Sequence, residues 1–290
     1  MLYEDNARNR RIGIAMVCVT TLCFTALDTT GKWLVASLPV FQVVWLRFLT
    51  HSLLSVAVLA PRYGTQLFRV NRPRLQLLRG LILAMLTGLN FWALRYLQLD
   101  VTASIQFSVP ILIAVVSAKW LGEPLDGRRW LAILAGFGGV LLIVRPGSQT
   151  FHPAIVLSLL NAALYAVFNL LTRRMAATEL PAATQLMSAI IATLVLTPFG
   201  LLTWRTPDNW LTWLLIGAMG IFGGLGHLMV AQAHRYASAA VLGPFLYQQI
   251  IYMSFAGWLV FGHLPDATVA AGAAIVVSSG LYLLWREFKR

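Results

Sequence analysis

The chain has 290 residues, of which 59% are hydrophobic and only 11% charged, with a mean hydropathy of +0.75. A soluble globular domain carries roughly 45–50% apolar and about 25% charged residues, so water is not this protein's main solvent. A formal charge of +12 would suit a nucleic-acid binder only if the basic residues gathered on one soluble face, and they do not.

Apolar runs of about 17–25 residues recur, each long enough for a helix across a hydrocarbon layer of about 30 Å at about 1.5 Å per residue. Ten are expected, over residues 12–35, 40–60, 75–96, 101–121, 129–145, 153–173, 183–203, 210–233, 238–261 and 267–286. The fold class that follows is an all-α integral membrane protein. The first run follows Arg8, Arg10 and Arg11, is too long for a signal-peptide core and lacks a small-x-small cleavage site, so it reads as a retained span. Its two cysteines, Cys18 and Cys23, offer neither a metal site nor an obvious disulfide and read as packing residues.

The first run closes on TALDTTGKWL, residues 25–34, where Asp28 and Lys32 share a helix face at i and i+4 and can neutralise each other. The second run contains VVWLRF, residues 43–48, which places Arg47 at a depth close to that of Asp28, about 12–14 Å from the same surface at ~1.5 Å per residue. An Asp28–Arg47 pair is therefore also available. Charges inside a span cost about 2.5–3.5 kcal/mol each on insertion scales and face a partner or a cavity. Asp28, Lys32 and Arg47 then form a structural cluster, line a pathway that binds a zwitterionic or charged solute, or open and close as a gate; Lys32 can also snorkel to the surface. His51, one turn beyond Arg47, and His227 in the eighth run titrate near neutral pH and are candidates for coupling transport to protons, although buried, hydrogen-bonded histidine is commoner.

Further along, Gln106 and Phe107 sit mid-way through the fourth run, and Asn161, Tyr165 and Asn169 recur every four residues on one stripe of the sixth. Tyr247, Gln248 and Tyr252 lie in the ninth. Amides facing lipid would be unsatisfied, so these residues turn inward, either as interhelical glue or as walls of a cavity for a mid-sized, partly planar polar solute. The glycines Gly136, Gly138 and Gly139, and those from Gly217 to Gly226, read as close-packing positions. Pro110 and Pro244 are points at which a span can flex.

The basic residues fix an orientation. Seventeen lie in the two tails and the even-numbered connections, against three, Arg95, Arg145 and Arg205, on the opposite side. By the positive-inside rule both termini are cytoplasmic. A shift of 140 residues lays ALRYLQLDV, from Ala93, over AHRYASAAV, from Ala233, and aligns Gly122 with Gly262 and Asp126 with Asp266; a shift of 141 places Asp28 on Asn169. Five spans per half is an odd number, so the second half enters the membrane from the other side, as in secondary transporters built from inverted repeats. The expected division is 1–147 and 148–290.

Taken with TALDTTGKWL, VVWLRF, the ALRY turn, SVPILIAVV and KWLGEPLDGRRW, this organisation resembles the drug/metabolite transporter superfamily, EamA type, with Pro110, Gly122 and Glu123 as its most specific element. The second half departs from that pattern at His263 and Ile250, and the seventh span has no counterpart of Arg47. The resemblance implies a ten-helix carrier whose central cavity is built from spans 1, 3, 4, 6, 8 and 9, which adds Asn90, Phe91 and Trp92 to the candidate solute-binding residues.

No grouped catalytic side chains and no GxxxxGK[ST] loop are present, which argues against a membrane enzyme and against ATP drive. No cofactor or metal is expected. The reading is a multi-pass carrier of the bacterial inner membrane, monomeric or dimeric, with the bilayer, a small solute and protons as its partners and no nucleic acid. It moves an amino acid or related metabolite, with export expected. The alternatives are a larger cofactor-like metabolite such as riboflavin or S-adenosylmethionine, and a channel.

Overall fold

In lipid every backbone N–H and C=O has to be paired within its own segment, and the apolar runs meet that demand as helices. The computed structural model describes residues 6–120, 127–148, 151–175, 178–237, 239–264 and 266–288. The helices among them are α1 (Ala7–Ser37), α2 (Val40–Tyr63), α3 (Pro73–Leu94), α4 (Leu99–Gln106), α5 (Val109–Trp120), α6 (Gly127–Val144), α7 (Ile155–Met175), α8 (Pro181–Leu202), α9 (Trp210–Tyr236), α10 (Ala239–Leu246), α11 (Gln249–Phe261) and α12 (Ala267–Phe288). A 3-10 turn, Gly64–Phe68, follows α2. No strand occurs among the described residues. Six helices, α1, α2, α3, α7, α8 and α9, are long and apolar enough to cross a membrane. Gly122, Glu123 and Asp126 lie outside the described residues.

Local sequence sets the helix ends. Asn6 accepts the Asn9 N–H and Asn209 the Thr212 N–H, both at 2.9 Å, closing the first turns of α1 and α9. Gly262 caps α11 at φ 69, a left-handed conformation that suits glycine.

The fourth and ninth runs are each broken into two short helices. The first break falls at Phe107–Ser108, where Pro110 lies in the opening turn of α5, a position that needs no N–H donor. The second falls at Tyr247–Gln248 without a proline in the opening turn of α11. These breaks are 140 residues apart in sequence, and the rings of Phe107 and Tyr247 meet across them at 5.0 Å.

Side-chain contacts define the two ends of the bundle. At the end where α1 finishes, hereafter distal, Arg205 after α8 donates to the Ser37 carbonyl at 3.3 Å, and Gln42 on α2 bonds the Arg205 backbone at 2.7 and 2.8 Å. Tyr96, after α3, stacks on His152, before α7, and Arg145 pairs with Asp266 at 2.5 Å between α6 and α12. At the proximal end, where α1 begins, the buried Glu179 carboxylate before α8 accepts the backbone N–H groups of Asn71 and Arg72, at 3.0 and 2.7 Å, before α3.

α1 packs on α9 and α7 on α3; α2 packs on α9 and α8 on α3; α1 meets α11 and α7 meets α5; α2 meets α8, and α6 meets α12. These pairs map onto one another when α1 is exchanged with α7, α2 with α8, α3 with α9, α5 with α11 and α6 with α12, whereas α4–α11 and α1–α3 have no exchanged pair of comparable extent among the described residues. The outside carries Leu53, Leu131, Leu194 and Leu259, each 63–69% exposed, whereas Gln42, Arg47, His51, Gln76 and Arg79 are buried. This inversion of the soluble pattern suits a protein whose surroundings are apolar.

Candidate functional site

α1, α2 and α3 bring the charged residues of the first two runs together. Asp28 is half-buried and its Oδ1 accepts from Asn90 Nδ2 at 2.9 Å. Arg47 is 3% exposed, lies 4.3 Å from the Phe48 ring centre, and makes one long bond, Nη1 to Thr87 Oγ1 at 3.4 Å. Thr87 and Asn90 stand one turn apart on the same face of α3, so a single helix face holds both charges. Arg47 and Asp28 lie within electrostatic reach of each other, but among the described residues they form no ion pair. The expected direct pairing is thus replaced by two separate attachments to α3.

The expected neutralisation of Asp28 by Lys32 is also corrected. Lys32 turns away to the distal end, where Nζ donates to the carbonyls of Leu94 and Leu97 at 2.8 and 2.6 Å. It also lies 5.4 Å from the Phe261 ring centre and within reach of Asp100. The carbonyls at a helix C-terminus have no intrahelical donors and attract a cation; they compete successfully with an acid on the same helix. Lys32 therefore ties α1 to the α3–α4 connection and to the end of α11.

Deeper along α2, His51 and His227 lie with rings nearly parallel, 6.2 Å between centres, and Phe24 meets His227 edge-on at 5.0 Å. The Gln185 amide on α8 donates to His51 Nε2 at 3.3 Å. With Nε2 accepting, the ring proton sits on Nδ1, which is buried and has no partner in the structure. The glycines of α9 admit this arrangement: a Cβ at Gly223 would lie 3.4 Å from Arg47 Nη2, and one at Gly226 only 2.7 Å from the Phe24 ring.

A second arginine, counted with the basic residues of the second connection, joins the cluster. Arg79 on α3 is buried, donates to Thr172 at 2.9 Å, to Ser188 at 2.5 Å and to the Thr184 carbonyl at 3.3 Å, and lies 4.4 Å from the Phe168 ring centre. Both guanidiniums and His51 act electrostatically on His227. Its contacts come from residues about 90–110 positions away, so only the buried depth of Arg79, six residues inside α3, was available as a signal. Gln185 carried no signal beyond being an amide in an apolar run.

The remaining candidates separate. Asn161 donates to the Leu86 carbonyl at 2.5 Å and joins α7 to α3; Asn169 donates back to the Tyr165 carbonyl at 2.7 Å, and Tyr165 stacks on Phe168. Gln248 donates to Thr21 at 3.1 Å and accepts from Tyr252 at 3.3 Å, close to the Phe107–Tyr247 pair at the helix breaks, where Gln106 is half-buried. Trp92 is 42% exposed and meets Phe41 on the outer face, away from the cluster. A groove of about 580 Å³ lies elsewhere, between α6 and α12, bordered by Arg128, Leu131, Ser279 and Tyr282. Among the described residues no group of three His, Cys, Asp or Glu could hold a metal ion.

The sequence profile described as the EamA-like transporter family matches residues 11–145 and again 152–285. The chain is 25% identical to an S-adenosylmethionine uptake transporter of Rickettsia bellii over 99% of this chain and 98% of that one. It is 28% identical to a riboflavin transporter of Vibrio cholerae, over 82% and 81% of the two chains, and 27% identical to a pseudopaline exporter of Pseudomonas aeruginosa, over 92% and 94%. A crystal structure at 20% identity superposes over 99% of this chain and 100% of its own with a TM-score of 0.63, a likeness of fold.

Proposed function

The chain belongs to the EamA-like transporter family, and from that membership and the buried polar cluster we propose a secondary carrier that moves a small polar metabolite by alternating access. It is a multi-pass membrane protein of a transporter family and not an enzyme. The observation that carries the reading is the charged cluster of Asp28, Arg47, His51 and His227, held between helices of both halves inside an apolar bundle. Buried intramembrane charge is costly and marks solute or ion pathways.

In this reading ten spans form two inverted halves, 1–147 and 148–290. The helix pairs that match on exchange, such as α1–α9 with α7–α3 and α2–α9 with α8–α3, the two matches of one family profile and the helix breaks 140 residues apart support it. Discontinuous helices that meet near mid-membrane are a recurrent feature of such carriers. The proximal end, the side to which the sequence assigns the tails and even-numbered connections with their 17 of the 22 basic residues, is cytoplasmic in a bacterial inner membrane. Lys32 and its carbonyl partners close the outer side, and the stacked histidines are the group through which protons would couple.

The solute is an amino acid or a related metabolite. Whole-length similarity to proteins bearing other names favours a second reading, a cofactor-like metabolite such as S-adenosylmethionine or riboflavin. The test is uptake into sealed proteoliposomes from a metabolite mixture, with and without a pH gradient. Equilibration of a specific solute supports the carrier, and equal entry into protein-free vesicles contradicts it.

A further inference from the structure

Asp28 and Arg47 carry opposite charges on neighbouring helices, yet the structure keeps them apart. In a low-dielectric interior two opposite charges attract far more strongly than in water, so separation needs a cause. Here it is α3, which holds Asp28 through Asn90 and Arg47 through Thr87.

The two sides have complementary unused capacity. Arg47 Nε and His51 Nδ1 are buried and without partners, and they stand at i and i+4 on one face of α2. Asp28 uses only Oδ1, on Asn90. A buried donor left unpaired is costly, and two donors beside one guanidinium charge call for an anionic acceptor. Across from them α9 presents backbone instead of side chains: Cβ atoms at Gly223 and Gly224 would approach Arg47 and His51 to 3.4 and 3.6 Å. Arg79 offers no such capacity, because its bonds go to Thr172, Thr184 and Ser188.

We propose that this arrangement is a receptor for an α-amino-acid head: the solute's carboxylate binds Arg47 and His51, and its ammonium binds Asp28, whose orientation Asn90 fixes. The inference rests on the carrier reading and narrows it to solutes that bear both charges on one carbon. Amino acids and S-adenosylmethionine have such a head, and riboflavin does not.

The experiment uses the full chain in proteoliposomes. The probes are L-methionine, S-adenosylmethionine, the decarboxylated amine and the deaminated acid of each, riboflavin, and a bacterial metabolite extract, with uptake read by mass spectrometry. The expected result is that head-bearing solutes enter at least tenfold faster than their amine and acid counterparts. Arg47→Gln then lowers head-bearing uptake tenfold or more and amine uptake far less, Asp28→Asn shows the mirror pattern with the acid, and Arg47→Lys recovers part of the loss, which separates recognition from misfolding. Equal uptake of headed and headless probes, uptake of riboflavin alone, or equal losses on every probe in both variants overturns the head receptor and leaves the carrier standing. If nothing from the panel or the extract enters, the carrier reading itself fails, and this one with it.

Discussion

Lys32→Met removes the ammonium that joins α1 to the Leu94 and Leu97 carbonyls. Two hydrogen bonds from a charged donor contribute about 1.5–3 kcal/mol each, while burying an ammonium in the membrane costs about 2.5–3.5 kcal/mol. Methionine has neither term, so the closed distal end should lose about 1–2 kcal/mol, a factor of roughly 5–30 in population. The reporter is Gln98→Cys, next to Leu97 at the start of α4, in a chain with Cys18 and Cys23 replaced. An impermeant maleimide added from the outside should react with it roughly 5–30 times faster in the Lys32→Met background. An unchanged rate, with thermal unfolding also unchanged, would refute the claim that Lys32 holds this end shut.

Three further outcomes follow from the packing. Gly139→Val places a Cβ 2.8 Å from the Gly272 carbonyl oxygen at the α6–α12 crossing, so it should destabilise by about 1–3 kcal/mol, while Gly138→Ala, with nothing within 4 Å, should be neutral or slightly stabilising; equal melting temperatures for the two would contradict the crossing geometry. Glu179→Ala leaves the Asn71 and Arg72 amides without their acceptor, an expected loss of about 1–3 kcal/mol in detergent unfolding, and a wild-type curve would show that this tie is unimportant. Asp266 has its carboxyl held below the usual 3.8 by the Thr268 amide and then by Arg145. Because the folded value is depressed, its contribution is present above the ordinary carboxylate range and is lost as pH falls through that lower value, so Asp266→Asn should lower stability slightly at pH 7, converge with the wild type in acid and so flatten the acid limb; parallel acid limbs would count against it.

Hydropathy made the six long apolar helices, α1, α2, α3, α7, α8 and α9, legible, because a span must satisfy its backbone internally and therefore shows as an uninterrupted apolar stretch. Near Pro110 the sequence marked a point of flexing, since proline lacks an N–H, and the structure breaks the run there. Its counterpart at Tyr247–Gln248 has no proline at the matching place, and the sequence marked its neighbourhood only through Pro244, three residues earlier, as a point of flexing. The charged residues of the site were visible as costs, but their partners were not. Lys32 chose carbonyls 62 and 65 positions away over an acid four positions away, and Arg79 found hydroxyls on α7 and α8 that no periodicity marks. Asn161 was correctly expected to face inward, and its bond to Leu86 makes it a tie between α7 and α3. Trp92 shares α3 with Asn90 but lies on its outer face.

The central claim is that the two ends of the bundle open in turn. Pairs of spin labels would test it, one pair at the distal end on residues 37 and 204 and one at the proximal end on residues 70 and 178, with distances recorded as a transported solute is added. The account predicts opposite changes, the distal pair separating as the proximal pair closes or the reverse. Solute uptake with both distances constant, or with both moving in the same sense, would contradict alternating access.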